Sequence, residues 1–155
     1  GETQPWRERR RAGHERALRE AGCAPPPVAW VRWRHHLDDF DDLVLTIAGH
    51  LAPYLLGPES PSAVLALTDG HVPAICAALR RCGREPGVDV QVVGYDAYWH
   101  EVPQRARCAV PPAASVDKDN AALGAAMAAL LEERIAGRLP AAPQLRMIAP
   151  RLITT

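Results

Sequence analysis

Two short apolar runs enclose a helical segment in the middle of the chain. Ala63–Leu67 and Val88–Val93 are almost continuously apolar, which is typical of strands buried on both faces of a sheet. Between them, Asp69 and Pro73 indicate the start of a helix, and Gly83 indicates its end. A strand–helix–strand unit joins two parallel strands by a right-handed crossover. The pattern therefore predicts an α/β protein.

Helical spacing of apolar side chains predicts three further helices, Trp6–Ala21, Phe40–Leu56 and Asn120–Ala136. Four other segments have the composition of extended structure: Val28–Trp33, Arg105–Val110, Gln144–Ile148 and Arg151–Ile153. Because helices and strands alternate along the chain, we predict a Rossmann-like parallel sheet flanked by helices.

Composition narrows the class of protein. The 155 residues suit one domain or part of a larger one, and the formal net charge is zero. A balanced charge gives no general attraction to nucleic acid or to an anionic membrane. No apolar segment approaches the length of a membrane span, so no membrane partner is predicted. The four cysteines lack CxxC spacing and are predicted to be buried thiols of a cytoplasmic protein: Cys23, Cys76, Cys82 and Cys108.

Acidic residues follow both central strands. Asp69 comes after the first strand and Asp96 after the second, so the parallel arrangement puts both at the edge where open α/β sheets bind ligands. Such carboxylates either cap a helix, accept hydrogen bonds from ligand hydroxyls, or act as a catalytic pair. The chain has no glycine-rich phosphate loop and no Gly-x-Ser-x-Gly motif. No cofactor is predicted.

A polar turn before the second predicted helix contains residue types that bind metals. It consists of His35, His36, Asp38 and Asp39. No second ligand cluster occurs at a recognisable spacing, so we predict a solvated loop, with Asp38 or Asp39 as N-cap, and no metal site.

Several segments, taken in order, carry a family resemblance. They are Arg11–Gly22, Leu67–Asp96, Ala114–Gly124, Leu131–Gly137 and Pro150–Thr155. Together they resemble the LacI/GalR family of bacterial transcription regulators over nearly the whole chain. The resemblance implies the C-terminal half of a periplasmic-binding-protein-like (type I) effector domain.

The resemblance also implies a division of the chain. Residues 1–155 would be a partial effector-binding and dimerisation domain. Residues from about 1–110 and 144–155 would belong to its second subdomain, and residues from about 113–140 would cross into the first. The helix-turn-helix DNA-binding domain is absent from the sequence. The helix Asn120–Ala136 is then expected to expose apolar surface.

The implied function is sensing of a small sugar-like or nucleoside-like effector, and not catalysis. The protein would be a cytoplasmic homodimer that reaches operator DNA through the missing helix-turn-helix. One alternative is a periplasmic sugar-binding protein of an ABC transporter. Another is a small α/β enzyme that uses Asp69 and Asp96.

Candidate ligand contacts follow from matched positions. Asp96 matches the family acid that accepts hydrogen bonds from sugar hydroxyls or a base edge. Thr68 stands where the family has a ligand-contacting Asn, and its single hydroxyl makes fewer hydrogen bonds. Asp69 matches the next family position, which more often caps the helix.

Three more positions complete the candidate set. Phe40 lies near an aromatic residue that stacks on ligand in relatives, with core packing as the alternative. Arg10 lies near a ligand-gripping arginine position, which Glu8 occupies here, and Lys118 matches a polar contact from the other subdomain. These departures imply an effector unlike a plain hexose.

The resemblance also assigns a dimer interface. The helix Pro73–Arg81 and the loop 97–104 resemble the family's intersubunit contacts. Ile75, Leu79 and Trp99 are predicted to be exposed there and to contact the second subunit.

Overall fold

A computed structural model describes residues 5–29, 31, 39–57 and 60–154. The helices are α1 (Pro5–Glu20), α2 (Phe40–Leu55), α3 (Val72–Arg81) and α4 (Asn120–Ile135). The strands are β1 (Ala63–Leu65), β2 (Gln91–Tyr95), β3 (Ala114–Asp117) and β4 (Arg151–Thr154). Short 3-10 turns cover Asp69–His71, Trp99–Glu101 and Pro103–Arg107. All four predicted helices are confirmed to within one residue at each end.

The strands form one sheet in the order β1-β2-β3-β4. β1 pairs with β2 in parallel, and β2 pairs with β3 in parallel, which confirms the α/β class and the strand–helix–strand unit. β4 runs antiparallel to β3 at one edge of this otherwise parallel sheet. The carboxyl ends of β1, β2 and β3 therefore lie at the same edge of the sheet.

Aspartate side chains cap both α2 and α4, and the predicted N-cap Asp39 is confirmed. The side chain of Asp39 accepts a hydrogen bond of 2.8 Å from the backbone N–H of Asp41 at the start of α2. Asp119 accepts one of 3.0 Å from Ala122 at the start of α4. Each bond satisfies an N–H that the first helical turn leaves without a partner.

The core lies where α2 and α3 cover one side of the β1–β2 pair. It is built from branched aliphatic side chains together with small residues, which allow the helices to approach closely. Its buried members include Val44, Ile47, Leu51, Leu55, Val72, Ala78, Val90 and Val92. Burying each large aliphatic side chain contributes about 1.5–3 kcal/mol to stability.

The predicted exposure of α3 is wrong. Seven of its ten residues are buried, and Ile75 and Leu79 belong to the core of this chain. Trp99 is half-buried and packs against the same core. Ile75 and Leu79 are buried because α2 and the sheet cover α3 on more than one side. They do not offer the exposed apolar contact expected of a dimer interface.

Several extended segments also differ from the prediction. Arg105–Val110 contains the end of a 3-10 turn and no strand, and Gln144–Ile148 is irregular. Val28–Trp33 lies partly outside the described residues. The structure instead places a strand at Ala114–Asp117, where the sequence has too short an apolar pattern to indicate one.

The thiols are free, as expected. Cys76 and Cys108 are buried and Cys82 is half-buried, but Cys23 is exposed, so the prediction of buried thiols is wrong for Cys23. A side-chain hydrogen bond with Cys108, and in second place burial, raise the pKa of the Cys76 thiol.

Neither α1 nor α4 contributes a buried residue. The apolar side chains of α4 and the C-terminal segment are exposed, in accord with the expectation for the predicted helix Asn120–Ala136. They are Met127, Leu131, Ile135, Leu145, Met147, Leu152 and Ile153. Among the described parts of the chain, no helix is both long and apolar enough to cross a membrane.

Candidate functional site

A cleft of about 340 Å³ opens at the carboxyl ends of β1 and β2. Side chains from the first turns of α1, from the turn after β1 and from the end of β2 converge on it. The lining residues are Trp6, Arg7, Arg10, Leu67, Thr68, His71 and Asp96. The sheet edge predicted from the strand order is therefore the edge that carries a cavity.

Asp96 is the centre of this cleft. One carboxylate oxygen lies 2.7 Å from Nζ of Lys118 and 3.8 Å from Nη2 of Arg10. The Asp96 side chain remains 22% exposed, so a ligand can reach it. The structure thus brings together Arg10, Asp96 and Lys118, which the sequence places far apart.

The backbone at Asp96 has an unusual conformation. Its φ is +89°, and that of the following Ala97 is +53°. Positive φ is uncommon for residues other than glycine, and Asp and Asn tolerate it better than most. Its carboxylate is thus carried on a left-handed turn directly after β2.

Arg10 fixes α1 against the sheet. Its Nη1 donates a hydrogen bond of 2.6 Å to the carbonyl oxygen of Leu67. Its guanidinium also lies 3.7 Å from the ring centroid of Tyr95 and 4.6 Å from that of Trp6. Such cation–π contacts suit the planar guanidinium, so Arg10 positions one wall of the cleft.

Thr68 lines the cleft, but its hydroxyl is already engaged by the protein. It shares a hydrogen bond of 2.9 Å with the phenol oxygen of Tyr98, which also accepts one of 3.0 Å from the N–H of Gly70. Tyr98 was not among the predicted site residues. Its role depends on a turn that brings it back to β1, and no local sequence pattern indicates such a contact.

Asp69 does not reach the cleft. It is completely buried, and its carboxylate accepts hydrogen bonds from the N–H groups of Tyr98 (2.9 Å) and Trp99 (3.0 Å) and from the Ser115 hydroxyl (2.7 Å). The prediction that Asp69 contacts ligand is therefore wrong.

The alternative role of Asp69 as a helix cap is also wrong. His71 is the N-cap residue of α3, and no side-chain hydrogen bond caps that helix. Because Asp69 is buried behind the cleft, it cannot form a catalytic pair with Asp96 on a bound substrate. Its carboxylate instead fixes the loop that follows Asp96.

His71 and Arg7 form the remaining wall. Burial lowers the pKa of the His71 imidazole, and the nearby charge of Arg7 lowers it further, so His71 is neutral at pH 7. Among the described residues, Nε of Arg7 has no hydrogen-bond partner although it is buried. The guanidinium of Arg7 lies 5.3 Å from the ring centroid of Trp6.

Phe40 lies in a different place. It lines a surface depression of about 560 Å³ with Asp39, Pro103, Gln104 and Arg107. It also packs against the core, as the alternative reading expected, and Arg107 lies 4.8 Å from its ring centroid. The structure therefore does not bring Phe40 to the Asp96 cleft. Asp39 in this depression caps α2.

The polar turn considered for metal binding is only partly described. His35, His36 and Asp38 lie outside the described residues, and Asp39 caps α2. Within the described ranges, no three His, Cys, Asp or Glu side chains come together as a metal-binding group.

The chain is similar to several solved structures. One is a regulatory protein of the LacI family from Chloroflexus aggregans, with a TM-score of 0.65 and 22% identity over 90% of this chain and 46% of that one. Another is the transcriptional regulator CelR in complex with cellobiose, with a TM-score of 0.62 and 27% identity over 92% of this chain and 39% of that one. A third is the lac repressor dimer bound to operator and the anti-inducer ONPF, with a TM-score of 0.53 and 22% identity over 72% of this chain and 36% of that one.

The chain spans less than half the length of each of these proteins. A comparison with curated protein sequences finds no match. The family of periplasmic binding protein-like domains matches residues 1–154. The chain therefore belongs to that family and shares its fold with LacI-family regulators.

Proposed function

We propose that this chain is the effector-sensing part of a LacI-type bacterial transcription regulator and that the Asp96 cleft binds a small, hydroxyl-rich molecule. The observation that carries this proposal is the Asp96 carboxylate, which lines a cavity, is partly exposed and lies between Arg10 and Lys118. A carboxylate accepts hydrogen bonds from ligand hydroxyls, while the two cations hold it in place.

The size and lining of the cleft suit such a ligand. Its volume of about 340 Å³ is within the range of small-molecule sites. Trp6 and Leu67 supply apolar surface, against which the face of a sugar ring or a base can pack. The named complex of CelR with cellobiose, at 27% identity, supports a carbohydrate-like effector.

The positions of the cleft residues suggest how binding is transmitted. Arg10 belongs to α1, Asp96 to the end of β2 and Lys118 to the β3–α4 connection. A ligand hydroxyl that binds Asp96 competes with one or both cations for its carboxylate. A bound ligand therefore favours one arrangement of these three elements over another. A ligand shifts a conformational equilibrium when it binds one state more tightly than the other.

The remaining parts of the proposal concern the whole protein. We propose a cytoplasmic homodimer that acts on operator DNA through a separate DNA-binding domain. Residues from about 113–140 would cross into the first subdomain of the effector domain. The named lac repressor dimer bound to operator supports this kind of assembly.

The test is a thermal-shift screen of the full-length protein against neutral sugars, sugar acids, sugar phosphates and nucleosides. We expect at least one class to raise the melting temperature and Asp96→Asn to abolish the shift. Asn is nearly isosteric and tolerates the positive φ of this position, so the variant keeps the fold. Asp42→Asn, an exposed change on α2, is the matched control and should leave the shift intact. Stabilisation that persists in Asp96→Asn would contradict the proposed site.

A further inference from the structure

Positive charge exceeds negative charge in the Asp96 cleft. Arg7, Arg10 and Lys118 line or border it, whereas Asp96 is the single carboxylate among its lining residues. Arg10 and Lys118 share that one carboxylate. A cleft built only for a neutral polyol would not need this surplus of cations.

Neighbouring carboxylates do not remove the surplus. Glu8 pairs with Arg11 at 2.9 Å, and Asp117 pairs with Arg151 at 2.8 Å. Asp119 caps α4. Asp69, buried behind the cleft, is satisfied by three donors, and counting its charge still leaves one cation in excess.

Among the described residues, Arg7 is the cleft cation without an anionic partner. No ion pair joins it to any carboxylate in the described part of the chain, and its buried Nε has no hydrogen-bond partner there. Arginine matches the planar geometry of carboxylates and phosphates through paired N–H donors. An unpaired guanidinium facing a cavity is therefore suited to bind an anionic group of a ligand.

The position of Arg7 in α1 adds to this field. Arg7 and Trp6 lie in the first turn of a sixteen-residue helix, and both line the cleft. The first N–H groups of a helix lack intrahelical partners, and the helix dipole makes this end partly positive. His71 opposite them is neutral at pH 7, because its pKa is lowered by burial and by Arg7. It therefore adds no further charge to the cleft.

We propose that the effector of this cleft is an anionic carbohydrate, in which a carboxylate or phosphate binds Arg7 and ring hydroxyls bind Asp96. This inference rests on the proposed sensing function and specifies its ligand class. The two ends of the ligand are thus recognised by opposite charges, which fixes its orientation in the cleft.

The test uses sugars of the same ring stereochemistry that either carry or lack an anionic group. Isothermal titration calorimetry of the full-length protein would compare glucose, glucuronate and glucose phosphate, and galactose, galacturonate and galactose phosphate. We expect at least one anionic member to bind about tenfold or more tightly than its neutral counterpart, the gain of a charge-assisted contact. The uronate and phosphate arms distinguish the two sources of the anion. The preference should shrink as salt is raised, because salt screens exposed charges.

Two arginines of the same helix provide the variant and its control. Arg7→Gln should lower the affinity for anionic ligands to that for the neutral sugar. The exposed Arg16→Gln variant should still bind the anionic ligands more tightly. Tighter binding of neutral sugars, or an unchanged preference in Arg7→Gln, would overturn the inference and leave the sensing function standing. Binding of no member of the set, together with a negative thermal-shift screen, would overturn both.

Discussion

The hydroxyl of Ser115 donates a hydrogen bond of 2.7 Å to the carboxylate of Asp69 and thereby ties β3 to the turn after β1. The same carboxylate accepts the N–H groups of Tyr98 and Trp99, three residues or fewer beyond Asp96. A buried acid therefore holds the loop that presents the exposed acid of the cleft. The two carboxylates have different roles because one is enclosed by donors and the other faces a cavity.

Replacing the buried acid should be costly. Asp69→Ala leaves two backbone N–H groups and one hydroxyl without their acceptor in a buried site. Each unsatisfied buried group costs about 1–3 kcal/mol, so we expect a loss of about 3 kcal/mol or more in the free energy of unfolding, measured by urea denaturation.

Ser115→Ala is the matched control for this change. It removes one hydrogen bond to Asp69 and the acceptor for the Ala97 N–H, so a smaller loss of about 1–2 kcal/mol is expected. Equal effects of the two substitutions would show that the carboxylate does not organise the loop.

Gly94 should tolerate no side chain. A Cβ built on Gly94 collides with Oδ1 of Asp69 and lies 3.4 Å from Cβ of Pro112. Gly94→Ala must therefore displace the buried carboxylate, and we expect it to lower the free energy of unfolding by about 1–3 kcal/mol, as overpacking does.

A second glycine gives the opposite expectation. Gly124 lies inside α4 with no atom within 4 Å of an added Cβ. Gly124→Ala should stabilise the chain by about 0.5–1 kcal/mol, because alanine is the better helix former. Thermal denaturation of both variants measures the two effects. A Gly94→Ala protein with unchanged stability would contradict the close packing of Gly94 against Asp69.

The sequence predicts helices well and the candidate site only in part. Apolar spacing and capping residues such as Asp119 are local signals, so they locate α4 to within one residue. β3 is four residues long and begins with Ala-Ser. It is buried by its pairing with β2, which is distant from it in the sequence. No local pattern reports such a strand.

The two strand-end acids show the same limit. Sequence places Asp69 and Asp96 at one sheet edge, which is correct. Which of them faces the cavity depends on where Tyr98 and Ser115 direct their donors, and these contacts join residues 29 and 46 positions from Asp69. Similarly, the burial of Leu79 in α3 depends on its packing within the core, and helical periodicity alone does not distinguish that contact from one with a second subunit.

Lys118 offers a direct probe of the cleft. It is the single lysine in the sequence, and its Nζ lies 2.7 Å from Asp96. Asp96→Asn should increase its rate of acetylation by an amine-reactive ester, because the amine is no longer held against a carboxylate. A bound effector should decrease that rate.

Peptide mapping by mass spectrometry measures this labelling. Equal labelling of Lys118 in the native and Asp96→Asn proteins would show that the ion pair does not persist in solution.

Stability should fall as the medium becomes acidic, in part through His71. Its pKa in the folded protein is below the ordinary value of 6.5, because of burial first and the charge of Arg7 second. Below pH 6.5 the unfolded chain therefore binds a proton that the folded chain does not, so the free energy of unfolding decreases as the pH drops toward the folded-state pKa. Above pH 6.5 this contribution is constant.

Urea denaturation at a series of pH values checks the sign. His71→Gln should flatten the decrease between neutral pH and the folded-state pKa, while the exposed His100→Gln should leave it unchanged. A His71→Gln protein with the native pH profile would show that another group is responsible.

The exposed apolar face of α4 should make residues 1–155 self-associate when they are produced alone. Met127, Leu131 and Ile135 lie at helical spacing on a helix with no buried residue, and β4 is also exposed along its whole length. Contiguous apolar surface of this kind marks an interaction site or leads to association. We expect the isolated chain to bind a hydrophobic dye and to elute above the monomer mass in size-exclusion chromatography with light scattering.

A charged residue on the apolar face of α4 should reduce both dye binding and self-association. Leu131→Glu interrupts the apolar stripe, so dye fluorescence and apparent mass should decrease together. Ala121→Glu adds the same charge at an exposed position in the first turn of α4, outside the stripe, and should change neither. A compact monomer that does not bind the dye would contradict the expectation, because it would mean that α4 finds a partner surface within the chain itself.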